Sequence, residues 1–322
     1  MAIKMSTMRA AKSKKMALFF LNNAVWVIFI VLMVSFSIFI EGFFSLENYR
    51  NVLYHSVFIG MLAIAETLVL ISGNMDLSVE STAAGSAIIS VWLCAASATA
   101  SGLLLNTWLG ILIVLILGAM VGAVNAFFIL KLKINSFLVT LATYVIIRGV
   151  AILISKGYGM SELPDSFRFI DSRQLLGLPL MVFLMIASYF LFEFILQNTQ
   201  FGKHIYVIGG NLNAAYNFGI RVNKVLLYVF ILSGVISALT GWLMAARVNG
   251  ANAGIGSGYL FEVLAAVVIG GVSLSGGVGS LVGVFAGVLI LGAIHTQATK
   301  DQYLSLVQQN VYCKVIPIQS TT

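Results

Sequence analysis

The run from Trp108 to Leu130 carries no charged side chain and a single amide, Asn125, and it is one of a series of such runs. About 20 mostly apolar residues in a row is what an α-helix needs to cross a bilayer. The apolar residues are continuous rather than alternating, which argues against a transmembrane β-barrel. Composition agrees: the 322 residues are 60% hydrophobic and 9% charged. The chain therefore reads as an all-α polytopic membrane protein with about nine transmembrane helices.

The expected spans are residues 17–40, 52–71, 79–98, 108–130, 134–155, 179–196, 225–246, a short eighth one opening at Glu262, and 281–294. Residues 1–16 form a basic N-terminus, 17–294 the transmembrane domain and 295–322 a polar tail. The first apolar run is too long for a signal-peptide core and no small-residue cleavage site follows it, so it reads as a retained span. Lys4, Arg9, Lys12, Lys14, Lys15, Lys131, Lys133, Lys203, Arg221 and Lys224 fall on one side of this topology. Arg50, Lys156, Arg168, Arg173 and Arg247 fall on the other, a bias that places the N-terminus in the cytoplasm. The net charge of +7 is accounted for by this distribution and does not point to nucleic acid. Cys94 and Cys313 have no spacing that supports a metal site or a disulfide framework.

Two apolar segments break at glycine. One is Ile269-Gly270-Gly271-Val272-Ser273-Leu274-Ser275-Gly276-Gly277-Val278-Gly279, the other Ile71-Ser72-Gly73-Asn74-Met75-Asp76-Leu77-Ser78. They match with one gap, which suggests a duplicated unit, and the topology puts both on the cytoplasmic side with parallel direction. Gly270, Gly271, Gly276, Gly277 and Gly279 read as turn and packing elements, because no lysine follows them as it would in a phosphate cradle.

Polar side chains inside the spans are costly and mark function by default. His55 and Glu66 lie eleven residues apart, close to one helix face, and would line a conduit or bond neighbouring helices. Asp76 or Ser78 caps the helix that follows, with Glu80 near its positive N-terminal end, or this broken segment lines the path. Asn125 and Arg148 complete the set of substrate-path candidates, with snorkelling to the interface as the alternative for Arg148. Residues 197–224 are too polar to span yet keep amphipathic spacing, which suits docking to a soluble partner or lying on the bilayer surface. Phe201, Lys203, Arg221 and Lys224 are the docking candidates there.

Four stretches carry a family resemblance. They are Gly73 to Val79, Ile134 to Gly149, Phe201-Gly202-Lys203-His204-Ile205-Tyr206-Val207-Ile208-Gly209-Gly210-Asn211 with its continuation to Arg221, and Glu262 to Ile294. In these the chain resembles the membrane permease subunit of bacterial ABC importers for simple sugars, the ribose and galactose type, within the larger group that includes branched-chain amino acid permeases. The resemblance implies a multi-pass protein of the bacterial inner membrane, not itself an enzyme, that moves a simple sugar of the ribose, galactose or xylose class. It also implies a second permease copy or paralogue, a cytoplasmic ABC ATPase contacting residues 197–224, and a periplasmic sugar-binding protein meeting the outer loops. The resemblance implies no cofactor in this chain, and since it has no G-x-x-x-x-G-K-[ST] run, any ATP would be used by the partner.

The chain departs from that family at Asn74, Met75 and Glu80, and after Ile294, where the family continues into a tenth span. The tail reads as a truncated or frameshifted end. The competing reading is an ion-coupled secondary transporter of a small polar solute, in which Glu66, His55 and Arg148 would carry protons or ions. A membrane enzyme has no metal spacing or nucleophile and base to support it.

Overall fold

Asparagine or serine opens three of the long helices. Ser45 accepts the Asn48 N–H ahead of α2 (Leu46–Ile71), Asn106 the Trp108 N–H ahead of α4 (Thr107–Lys131), and Asn135 the Phe137 N–H ahead of α5 (Ser136–Ser155). Each side chain satisfies a backbone donor that the first turn leaves unpaired. The computed structural model describes residues 24–40 and 43–297. The basic segment 1–16, Asn22 and Asn23 of the first span, and residues 298–322 of the tail, with Cys313, lie outside the described residues.

The remaining helices are α1 (Ala24–Phe39), α3 (Val79–Cys94), α6 (Asp165–Ser172), α7 (Leu180–Asn198), α8 (Gln200–Gly210), α9 (Leu212–Asn217), α10 (Val222–Val248), α11 (Tyr259–Ile269) and α12 (Leu281–Gln297). Among the described residues α2, α4, α5, α7 and α10 are long and apolar enough to cross a membrane, and α1, α3, α11 and α12 are shorter apolar helices. The all-α polytopic class is as the apolar runs predict. The third span is shorter than expected: Ala95 turns to extended backbone after its N–H bonds the Val91 carbonyl. The eighth opens at Tyr259 rather than Glu262, and the ninth continues past Ile294 to Gln297.

α2 and α10 run antiparallel at the centre, as the ends of each show. At the upper end, Arg247 of α10 lies 3.6 Å over the Tyr54 ring of α2. At the lower end, Val222 and Leu226 of α10 share a cleft with Ser72 and Gly73, which follow α2. Small residues let α10 lie against its neighbours: a side chain on Gly118 or Gly122 of α4 would strike the backbone at Gly234 or Phe230.

The upper end is closed by the long connection after α5. Two-residue strand β1 (Met160–Ser161) pairs antiparallel with β4 (Gly250–Ala251), in the register Met160 to Ala251, and β2 (Gln174–Leu175) pairs with β3 (Leu178–Pro179). Between them α6 buries Phe167 and Ile170, with Phe167 and Phe169 set against Trp242. This polar, mixed-charge connection is thus a packed cap.

At the lower end the two glycine breaks meet. The Gly277 N–H donates to the Ile71 carbonyl at 2.8 Å, and the Tyr206 hydroxyl of α8 donates to the Gly279 carbonyl at 2.7 Å. Gly277 has φ +73°, and a side chain there would lie 2.6 Å from the Gly210 backbone, so both its conformation and its contact exclude one. Residues 197–224 therefore do not form a free loop. They fold into α8 and α9, whose Ile205, Ile208 and Ala215 are buried against the bundle.

The sequence of long helix, break and short helix occurs twice: α2 with residues 72–78 and α3, then α10 with residues 249–258 and α11. The second copy runs in the opposite direction to the first. The match between residues 70–78 and 268–275 does not register this relation; it pairs two breaks that touch at the same end.

Candidate functional site: a buried polar network between two broken helices

Residues 72–78 do not simply link α2 to α3. They re-enter the bundle, so that the Asp76 N–H reaches the Glu66 carboxylate at 3.4 Å, five residues back from the end of α2. Irregular backbone at this depth survives only where the protein satisfies its polar groups, and here threonine and serine of α5 do so. The Met75 N–H donates to Ser136 Oγ at 3.3 Å, the Leu77 N–H to Thr140 Oγ1 at 3.1 Å, and Thr140 Oγ1 donates to the Met75 carbonyl at 3.3 Å.

Asp76 is the hub. Its Oδ1 accepts from the Ser78 N–H at 3.0 Å and the Ser78 hydroxyl at 2.5 Å, and its Oδ2 accepts from Ser233 Oγ of α10 at 2.8 Å. Asn125 of α4 donates to Ser78 Oγ at 3.0 Å and accepts from Thr143 Oγ1 of α5 at 2.6 Å. One chain of hydrogen bonds so joins α4, α5 and α10 to the break before α3. Glu66, Asp76 and Asn125 are all buried, and no Lys or Arg among the described residues forms an ion pair with either carboxylate. Glu66 Oε2 has no hydrogen-bond partner among the described residues.

A second cluster lies above the first. Glu80, in the first turn of α3, accepts the Tyr144 hydroxyl on Oε1 at 3.2 Å and the Leu260 N–H of α11 on Oε2 at 2.9 Å. One carboxylate thus serves the N-termini of two short helices, where unpaired N–H groups and the helix dipoles favour negative charge. Arg148 Nη2 stands 3.9 Å from Glu80 Oε1, while its Nη1 donates to the Ile255 carbonyl at 3.0 Å and Nη2 donates to the Ser257 hydroxyl. Through these bonds Arg148 holds the 252–258 turn.

The sequence candidates separate in space. Asp76, Glu66 and Asn125 share the lower cluster and Arg148 stands in the upper one. His55 lies apart, its ring 5.6 Å from that of His295, which is 3.7 Å from Glu262. The stripe of α2 between His55 and Glu66 is filled by buried Ile59 and Leu62, so the two do not form a continuous polar face. The sequence marks Ser78 as an alternative cap and Glu80 as a departure near a helix start, but it does not join Ser233, Tyr144 or Ser257 to them. The signal for Ser78 and Glu80 is the alternation of polar residues at 76, 78 and 80 across the break and the first turn of α3.

Of the lower-end candidates, Lys203, Arg221 and Lys224 are exposed, whereas Phe201 packs partly against the core. The exposed apolar groups are others: Leu212, Tyr216 and Phe218, the last 80% exposed. Gly270, Gly271, Gly276, Gly277 and Gly279 all lie in the turn between α11 and α12 or at its edge.

Comparison with known proteins agrees with this architecture. Residues 48–309 match the family described as branched-chain amino acid transport system / permease component. The match passes Ile294, where the resemblance in the sequence was expected to stop. The ribose import permease protein RbsC of Haemophilus influenzae is 32% identical over 281 residues, covering 86% of this chain and 85% of that protein. The L-arabinose transport system permease protein AraH of Escherichia coli K12 is 36% identical over 270 residues, covering 83% and 80%. The ribose import permease protein RbsC of Escherichia coli K12 is 33% identical over 270 residues, covering 83% and 82%. No solved structure matches the chain.

Proposed function

Because this chain belongs to the family of branched-chain amino acid transport permease components, we propose that it is the membrane-spanning subunit of an ATP-driven importer that carries a simple sugar. The observation that carries the reading is the similarity, over more than four-fifths of the chain, to permeases named for ribose and L-arabinose. In this reading the chain performs no chemistry. It supplies a conduit that opens to alternate sides, and a separate cytoplasmic ATPase hydrolyses ATP.

The lower end is the docking surface for that ATPase. Lys203, Arg221 and Lys224 offer positive charge beside exposed Tyr216 and Phe218, and a packed helix pair can pass force to the bundle where a loose loop would not. α8 is joined to both glycine breaks through Tyr206 and the contact of Gly209 with Ile71. Movement of α8 therefore reaches the break that contains Asp76. A second permease copy or a paralogue completes the conduit, and a periplasmic sugar-binding protein delivers solute to the upper end. The protein sits in the bacterial inner membrane with its N-terminus in the cytoplasm, an orientation that rests on the basic residues before Met16, since the Lys and Arg of the connections divide evenly between the two ends.

The test is uptake of labelled ribose, arabinose and leucine by liposomes holding the chain with its ATPase and solute-binding subunits. ATP-dependent sugar uptake supports the reading, and leucine uptake in its place would move the solute to the amino acid class named by the family. The Glu66 and Asp76 pair favours one second reading, an ion-coupled carrier. Uptake driven by a proton gradient without ATP would falsify the importer assignment in its favour.

A further inference from the structure

α5 is of membrane-spanning length, yet Val139, Thr140, Ala151 and Ser155 are its only buried residues. Most of its outward surface is apolar, with Leu138, Leu141, Val145, Ile146 and Leu153 exposed. Tyr144 and Arg148, one turn apart, break that surface. Arg148 stands seven residues before Ser155, about 10 Å below the end of the helix, and its side chain is 16% exposed. A guanidinium at that depth is costly against lipid.

The turn it holds is equally out of place in lipid. Residues 252–258 have irregular backbone, with Gly256 and Gly258 in the left-handed region, and Asn252, Gly254, Ser257 and Gly258 are exposed. Irregular backbone at membrane depth is tolerated where it is buried in protein or lines water, and exposure of these residues leaves the second. Two independent features, an accessible cation and an accessible turn, therefore mark one patch as a wet surface.

We propose that Arg148, Ser257 and the 252–258 turn, with Tyr144 beside them, form a solute-binding station for an uncharged, hydroxyl-rich molecule on its way through the bundle. This rests on the importer reading above. The charge balance selects the ligand class. Glu80 stands against Arg148, and both of its oxygens are already occupied by the Tyr144 hydroxyl and the Leu260 N–H, so the patch offers no net charge to hold a free anion or cation. Hydrogen-bonding capacity remains: a guanidinium has about five N–H donors, and those described here go to Ile255 and Ser257. Spare donors on a neutral patch match sugar hydroxyls, each able to donate and accept.

The experiment has two arms. In the first, Ser257→Cys and Gly149→Cys are placed in the full chain and treated with a charged, water-soluble thiol reagent, with and without ribose or arabinose; no neighbour lies within 4 Å of a side chain at Gly149. Labelling by the water-soluble reagent, slowed several-fold by sugar at Ser257→Cys, is expected. Labelling only by a membrane-soluble maleimide would show a lipid-facing patch and overturn the proposal. In the second arm, Arg148→Gln and Ser257→Ala are compared with the parent chain for ATP-driven uptake. The Arg148→Gln change is expected to raise the half-saturating sugar concentration about ten-fold, as for loss of one charge-assisted hydrogen bond, with Arg148→Lys recovering part of it. Unchanged uptake in both variants beside an active parent would overturn the station while leaving the importer reading intact. A parent chain that moves no sugar would overturn the importer reading, and the labelling arm would still decide whether the patch is wet.

Discussion

Ser233 of α10 donates its hydroxyl to Asp76 Oδ2 at 2.8 Å, fastening the longest helix of the bundle to the break between α2 and α3. The bond sits in buried surroundings, where an acceptor left without its donor has no water to replace it. The position of the break is therefore held from α10 as well as from its own chain.

Ser233→Ala should cost about 2 kcal/mol, because it leaves a buried oxygen of Asp76 without its donor, and lower the melting midpoint of the detergent-solubilised protein by roughly 5 °C. Thr143→Val, which leaves Asn125 Oδ1 without its donor, should cost about 1 kcal/mol. A midpoint unchanged in both would mean the network is not closed as described.

Gly209 and Gly210 form a matched pair. A side chain at Gly209 would overlap the Ile71 carbonyl oxygen and stand 2.6 Å from the Gly277 nitrogen, whereas at Gly210 the nearest atom is 3.9 Å away. Gly209→Ala should fail to accumulate as folded protein or lose ATP-driven uptake, and Gly210→Ala should be close to the parent chain. Size-exclusion profiles followed by uptake assays distinguish the two, and equal behaviour would remove the junction's claimed role.

For the lower surface, Phe218→Ser and the double change Lys203→Glu with Arg221→Glu should each reduce co-purification of the ATPase. The charge reversal should lose its effect in high salt, because exposed charges are screened within about 10 Å at 0.1 M ionic strength. Full co-purification of both variants at low salt would place the docking site elsewhere.

Orientation can be read from two cysteines introduced one at a time after Cys94 and Cys313 are replaced by alanine, Ala98→Cys at the upper end and Phe218→Cys at the lower, both positions being exposed. A membrane-impermeant thiol reagent added to intact cells should label the first and spare the second. The reverse pattern would invert the assigned topology and move the docking surface outside the cell.

The helices and their class were legible because crossing a bilayer makes a demand that each segment meets alone: enough consecutive apolar residues to cover the hydrocarbon, as between Trp108 and Leu130. The glycine breaks were legible for a similar reason, since a bend at membrane depth needs backbone freedom that shows in the residue itself. The short helices α3 and α11 were harder, because their ends are set by partners distant in the chain: Glu80 receives the N–H of Leu260, 180 residues later.

By itself, then, the sequence determined that the chain is a polytopic α-helical membrane protein with glycine-broken segments, costly intramembrane polar groups and an amphipathic segment between α7 and α10. Only the tertiary structure decided which polar groups meet. It placed Asp76 with Ser233 and Asn125, drew Arg148 to the 252–258 turn, left His55 apart from Glu66, and packed α8 onto both glycine breaks. The physical reason is that hydrophobicity is a property of each segment, whereas a hydrogen bond between buried side chains is a property of two segments whose relative placement the rest of the bundle imposes.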